Sequence, residues 1–328
     1  MYMYPIKSLR GTLVDKALVT KTGFLYDRRF MLLKDHEDDS RDGGRLENMA
    51  VSSFAEMCLF LTAIKFPETE DDAGQITVTF QPPDAATRTI TIPLQADTSN
   101  LATMDVTMHG SYTKAYGMGP EYNKWFTECF GFPVVFAYLG EHLRPVLFPK
   151  EPTSSSWLSS ISNHIPLLGN TDGGDEKITF ADCAPYLVTT EDSLHEVSAR
   201  LPEGEIMDIT KYRPNIVLAG ADSAWDEDFW AEIQIGQGDA SVRIPLQHNC
   251  IRCSSINVDY ATGKPGKGKS GEVLKLMQKD RRVDKAKKYS PVFGRYGFFS
   301  AVGQAKEIAI GDEVVVSKRN KERTGFGE

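Results

Sequence analysis

Cys250 and Cys253 are separated by Ile251 and Arg252, with His248 two residues upstream of the pair. Thiolate and imidazole are ordinary zinc donors, so this spacing could seat a metal ion. A zinc site takes about four protein ligands, or three and a water. The chain has no second closely spaced cysteine pair to complete one. A redox dithiol of the thioredoxin kind sits at the start of a helix, whereas Ser254-Ser255-Ile256-Asn257-Val258 reads as extended. Two buried structural thiols are the plain alternative, and spacing alone does not separate the three. A lone His such as His248 is more often structural than catalytic.

Gly263-Lys264-Pro265-Gly266-Lys267-Gly268-Lys269-Ser270 fits the pattern of a phosphate-binding P-loop. In a true P-loop the amides cradle phosphate, the Lys neutralises it and the Ser holds magnesium. The preceding Val258-Asp259-Tyr260-Ala261-Thr262 is too polar for a buried parallel strand. Too little chain follows Ser270 for the further strand–helix units of a nucleotide-binding fold. A Gly/Lys-rich loop matching by coincidence is the expectation, with a nucleotide binder as the remote alternative.

Cationic and amide side chains recur in further segments. These are Tyr4-Pro5-Ile6-Lys7-Ser8-Leu9-Arg10-Gly11, Tyr26-Asp27-Arg28-Arg29-Phe30, Tyr212-Arg213-Pro214-Asn215-Ile216-Val217 and Phe293-Gly294-Arg295-Tyr296, with the acidic Ile310-Gly311-Asp312-Glu313-Val314 closing the series. Singly, each Lys or Arg reads as a surface charge. Together they are the groups that recognise an anionic, amide-rich heterocycle bearing phosphate, because guanidinium forks pair with oxyanions and Asn with amides.

These groups must be positioned by short strands. Residues 12–20 and 28–34 are rich in Leu, Val, Phe and Met, and 76–80 and 88–94 alternate Ile/Val with Thr. Gly119-Pro120 opens a helix and Gly131 closes it, after which 133–139 returns to strand. Residues 150–177 are rich in Ser, Asn, Gly and Asp and read as a linker. Beyond it, Thr189 caps a helix carrying Leu194, Val197 and Leu201. Strands are expected at 216–218, 232–235 and 242–246, a helix at 272–282, and closing strands at 295–300 and 307–316. Many short strands and few helices predict a mixed α/β, β-rich fold of two β-barrel-like domains, spanning residues 1–149 and 178–328.

The 328 residues are 41% hydrophobic and 25% charged, which supports a packed globular core and excludes wholesale disorder. A net charge of −8 argues against a dedicated nucleic-acid binder. Residues 264–288 run the other way, with ten Lys/Arg against three acids. The apolar run at 57–64 is too short to cross a bilayer, and the first residues lack the apolar core of a secretory signal. Five sparse cysteines predict a reducing, cytoplasmic setting, with mitochondrial association an open alternative.

Assembled, the Tyr-Pro-Ile-Lys-Ser start, the Arg-Pro-Asn motif and the Cys-Ile-Arg-Cys…Val-Asp-x-x-Thr-Gly signature resemble the MOSC family with its N-terminal β-barrel domain. Within it they resemble the mitochondrial amidoxime reducing component and its microbial relatives. The resemblance implies a molybdenum cofactor, Mo-molybdopterin, held between two β-rich domains with Cys253 as the metal ligand and catalytic thiolate. It implies that Lys7, Ser8, Arg29, Arg213, Asn215 and Arg252 contact the pterin or its phosphate, and more loosely Thr190 and Ser193. It implies reduction of N-hydroxylated compounds, N–OH to N–H. With too few cysteines for a ferredoxin domain, the chain is expected to take electrons from a separate carrier, such as an acidic cytochrome b5-like protein with its reductase. A cofactor carrier or sulfur-transfer module is the alternative. The chain departs from the family in carrying Tyr260 where Pro usually follows the signature Asp.

Overall fold

The computed structural model describes residues 1–36, 45–69, 71–146, 176–299 and 305–326. Most of the linker expected at 150–177 lies outside them.

A five-stranded antiparallel sheet is ordered Thr103–Met108, Ser111–Gly117, Val134–Tyr138, Phe30–Asp35, Leu46–Asn48. Against it stands a three-stranded meander, Phe60–Lys65, Gln75–Phe80 and Arg88–Pro93. The alternation of Ile76 and Val78, both fully buried, with Thr77 and Thr79 sends one face of the meander inward. The helix Pro120–Phe130 covers the gap. It starts with Pro at its first turn and ends on Gly131 in left-handed backbone, φ 77°, as Gly119-Pro120 and Gly131 predict. Phe126 from that helix, Phe136 from the large sheet and Phe60 from the meander meet ring to ring, with centroids 5.0 and 6.0 Å from Phe126.

The second half is built on a six-stranded sheet, ordered Ile216–Leu218, Tyr186–Thr190, Val292–Gly297, Val242–Ile251, Trp230–Ile235, Val314–Arg319. Its pairs are antiparallel except that of Tyr186–Thr190 with Ile216–Leu218. The fold is thus β-rich with two partial barrels and three α-helices among the described residues.

The opening segment packs into the second core although it precedes the first sheet in sequence. Lys16–Thr20 pairs with Lys306–Ala309, and Met3, Val14, Ala17, Val19 and Phe24 are buried with Tyr186, Val188, Ile233 and Ile244. Between the two halves, the Tyr4–Lys7 run is laced to Arg28–Phe30. The Arg28 N–H donates to the Tyr4 carbonyl at 2.7 Å, and the Lys7 N–H donates to the Phe30 carbonyl at 2.8 Å.

Several expected elements differ. The strand at 12–20 breaks into Thr12–Leu13 and Lys16–Thr20. The cap of the helix Glu191–Ser198 is Thr190 rather than Thr189, its Oγ1 accepting the Ser193 N–H. The helix expected over 272–282 shrinks to Val273–Met277 after a 3-10 turn. It stops because Arg281 is drawn inward, where its guanidinium grips Asp228 with two hydrogen bonds of 2.8 and 2.9 Å. Both side chains are buried, so full pairing is required to offset their lost hydration. Ser254–Asn257 is a single 3-10 turn, not extended chain. The closing strand at 307–316 splits at Gly311, φ 94°.

Candidate cofactor site

A cavity of about 340 Å³ opens between the two halves, with a smaller one of about 110 Å³ adjoining it. Strand Val242–Ile251 delivers the Cys-x-x-Cys pair to its wall and separates the two thiols. Cys250 is buried, and its sulfur accepts from the Arg252 guanidinium at 2.7 Å. Burial pushes the Cys250 thiol up, against the pull of Arg252. Cys253, past the strand end, is exposed, lines both cavities and lies 3.2 Å from the Ser255 hydroxyl. All five cysteines are free. Among the described residues no three His, Cys, Asp or Glu side chains gather as a metal site, so the zinc reading finds no ligand set. His248 is buried in the sheet, its imidazole pushed down to about 4 by burial and by Arg295.

Lys7, Ser8 and Arg213 face the larger cavity beside Cys253, and Asn215 and Arg252 line the smaller one. Lys7 Nζ donates to the Phe180 carbonyl at 3.3 Å and pairs with the Asp182 carboxylate. Arg252 donates to the Tyr212 carbonyl at 2.8 Å. Asn215 is buried; its Oδ1 accepts from Arg28 at 3.1 Å and its Nδ2 donates to Asp27 at 3.2 Å.

Three expected site residues fall elsewhere. Arg29 turns away from the cavities and donates to the Gly140 carbonyl. Its neighbour Arg28 takes the place, lining both cavities and paired with Asp27. Thr190 and Ser193 are fully buried at the helix cap, where both hydroxyls approach Glu227 Oε2, at 3.2 and 2.8 Å. Their short polar side chains serve that cap rather than the cavity wall. Sequence reasoning also missed Asp182, His109, Lys211 and Tyr260, which all line the larger cavity. Tyr260 has Arg10 over its ring at 4.6 Å and Lys211 at 5.5 Å. No sequence signal separates Arg28 from Arg29: Arg28 is selected by its pairing with the buried Asp27, which only the fold reveals.

The backbone here is strained. Of six non-glycine residues in left-handed backbone among the described residues, Ser8 (φ 68°), Arg28 (51°), His109 (54°) and Arg213 (58°) line this cavity. Such conformations cost of order 1–3 kcal/mol each and cluster where function demands them.

Positive charge dominates the walls. Arg28 and Arg213 stand over the buried Tyr4 ring at 4.7 and 4.4 Å. Tyr4 is held so closely that a Cβ on Gly11 would lie 2.5 Å from its ring. Burial, with Arg28 alongside, lowers the Arg213 pKa, and burial lowers that of Lys7. The Arg213 Nη2 and Arg252 Nε atoms are buried without a hydrogen-bond partner. Unpaired guanidinium nitrogens beside an exposed thiol fit an anionic, polydentate ligand with one soft metal position, so the residues present suit a molybdenum–pterin phosphate.

The Gly263–Ser270 loop is built differently from a P-loop. Val258–Asp259 pairs back with Lys264–Pro265 as a hairpin, and Ser270 donates to Glu205.

Comparison with known proteins agrees with this architecture. A family model described as the MOSC N-terminal beta barrel domain matches residues 1–133, and one described as the MOSC domain matches residues 175–315. The chain is 26% identical over 319 residues to the human protein named mitochondrial amidoxime-reducing component 1, covering 96% of this chain and 81% of that protein. It is 28% identical over 323 residues to mitochondrial amidoxime reducing component 2 of Bos taurus, with the same coverage. It is 24% identical over 289 residues to the molybdenum cofactor sulfurase of Arabidopsis thaliana, covering 86% of this chain and 31% of that protein. The two domain matches, in order and spanning both halves of the fold, place the chain in the MOSC family, with a MOSC N-terminal β-barrel domain ahead of its MOSC domain.

Proposed function

We propose that the chain binds a molybdenum–molybdopterin cofactor in the cavity between its halves and reduces N-hydroxylated compounds. The observation that carries this reading is the exposed Cys253 thiol on a wall shared with Lys7, Ser8, Arg28 and Arg213. Names of the amidoxime-reducing relatives supply the substrate class. When bound, the cofactor would supply the two-electron and oxygen-atom chemistry. Cys253 would hold the metal as a thiolate, a soft donor matched to it. Arg28, Arg213 and Lys7 would neutralise phosphate and pterin oxygens, with Ser8 and Asn215 meeting polar edges. Arg252 would steady the loop by bridging Cys250 and the Tyr212 carbonyl.

The overall change is N–OH plus two electrons and two protons to N–H and water. Electrons would come from a separate carrier. Its docking surface would be the exposed cations Lys264, Lys267, Lys269, Lys275, Lys279, Arg282, Lys285, Lys287 and Lys288. Arg281 is not part of that surface, being buried on Asp228. No helix among the described residues is long and apolar enough to cross a membrane. The free thiols support placement in a reducing compartment.

The plant sulfurase match over most of this chain favours a second reading, cofactor carriage or sulfur transfer. Purification from a host that makes the cofactor, with molybdenum and pterin assayed per chain, tests binding. Reduction of an amidoxime by the loaded protein then separates catalyst from carrier: cofactor bound with no turnover would refute the reductase.

A further inference from the structure

We propose that His109, oriented by Asp182, is the proton donor to the substrate in this cavity; the inference rests on the N-hydroxy reductase reading.

His109 sits where the backbone would prefer another residue. Thr103–Met108 and Ser111–Gly117 are joined by two residues, with Met108 directly opposite Ser111. His109 (φ 54°) and Gly110 (φ 83°) are both left-handed, the signature of a two-residue hairpin turn that favours Asn, Asp or Gly at its first position. An imidazole there carries a conformational cost that those residues avoid. What it gains is position. The turn throws the ring over the cavity that Cys253 lines, with Nε2 3.3 Å from Asp182 Oδ1. The same oxygen pairs with Lys7, so Asp182 is fixed before it orients the ring. The side chains of both His109 and Asp182 remain about half exposed, so a ligand in the cavity can reach them.

The reaction has a place for such a group. Breaking the N–O bond leaves an electron pair on nitrogen and expels oxygen. One proton must reach that oxygen, so that it leaves as water rather than hydroxide, and a second goes to nitrogen. The two electrons come from the external carrier or, in the assay, from a reduced viologen. An acid placed at the oxygen contributes typically 10²–10⁴-fold. The cavity's other weak acids suit this poorly: burial pushes Tyr260 and Cys183 up to about 12 and raises Tyr296 well above its ordinary value. Lys7 is tied to Phe180 and Asp182, and Lys211 stands beside the Tyr260 ring. An imidazole is the side chain that gives up and regains a proton near neutrality.

The test compares wild type, His109→Asn, His109→Gly and Asp182→Asn. Each is loaded with cofactor, assayed for molybdenum and pterin, and given an aryl amidoxime and excess reduced viologen from pH 5.5 to 9. Asn and Gly both suit the turn, so folding is retained. His109→Asn should keep its cofactor, lose at least about 100-fold in kcat and lose the alkaline fall in rate. Added imidazole should restore part of the His109→Gly activity. Independently of turnover, 15N spectra of the cofactor-free protein should show the His109 ring hydrogen-bonded through Nε2, a signature absent in Asp182→Asn. A His109→Asn enzyme with near-wild-type kcat and an unchanged pH profile overturns the inference, as does loss of cofactor in that variant, which would make His109 a cofactor-holding residue. A loaded wild type that leaves the amidoxime intact overturns the reductase reading itself, and this inference with it.

Discussion

Replacing Glu227 by Gln should flatten the pH dependence of this protein's stability. Glu227 is fully buried at the cap of helix Glu191–Ser198. Its Oε2 accepts from Ser193 and Thr190, while Oε1 has no partner. Desolvation pushes the carboxyl from its ordinary 4.5 up to about 7, with Asp228 adding to the rise and the Ser193 hydroxyl and Arg281 opposing it. Because the folded pKa is the higher one, the folded state holds this proton more tightly than the unfolded chain does. That contribution is fully present below about pH 4.5 and is lost as pH rises through about 7. A separation of two to three units corresponds to about 3 kcal/mol. Urea denaturation between pH 5 and 8.5 measures it. Wild type should lose up to about 3 kcal/mol across this window in excess of Glu227→Gln, whose amide is neutral throughout. The variant should therefore gain on wild type toward alkaline pH, whatever its offset at pH 5. Identical pH slopes in the two proteins would refute the assignment of a buried, protonated carboxyl.

Cys253→Ala should abolish amidoxime reduction per molybdenum while retaining pterin, whereas Cys250→Ala should keep substantial activity and cost ~1–3 kcal/mol of packing. Equal loss in both would show that the thiols act as a pair. Arg28→Ala should lower the pterin content of purified protein at least about tenfold and Arg29→Ala should not, checked by fluorescence of the oxidised pterin; the reverse order would restore Arg29 to the site. Reversing Arg282, Lys285 and Lys288 to Glu should slow carrier-driven turnover in a salt-dependent way and leave viologen-driven turnover unchanged. Equal loss with both donors would remove that surface from electron transfer.

Strands and turns were legible where local chemistry decides them. The Ile/Thr alternation of Gln75–Phe80 and the Pro and Gly bounding the helix at 120–130 carry their own instructions. The hairpin at 103–117 was missed because its strands carry few β-branched apolar residues and its turn is His-Gly rather than Asn-Gly. The helix at 272–282 was overextended because its end is set by Asp228, far away in sequence and invisible to periodicity. Site residues named from short motifs came together at Lys7, Ser8, Arg213, Asn215, Arg252 and Cys253. Of the adjacent arginines in the motif around Asp27, Arg28 with its left-handed backbone lines the cavity and Arg29 does not, a choice that depends on backbone geometry. Thr190 and Ser193 sit at a helix cap, because hydroxyls suited to a phosphate are equally suited to capping.

The strand Lys16–Thr20 has its partner at Lys306–Ala309, nearly the whole chain away. On the ribosome, where residues emerge one by one, the opening segment must wait for almost the entire sequence before its edge is covered. During that interval Met3, Val14, Val19 and Phe24 have no core to enter, because their neighbours are Tyr186, Ile233 and Ile308. Long-range closure of this kind is slow and leaves an apolar strand edge exposed in the meantime. It also sets an order of assembly. Lys7 and Ser8, which line the cavity, lie in sequence between Met3 and Val14, both buried in that late-forming core, so the cavity takes its final shape only after those strands have been made. If the cavity holds the proposed cofactor, a chain lacking its late strands would display the cations without the cradle.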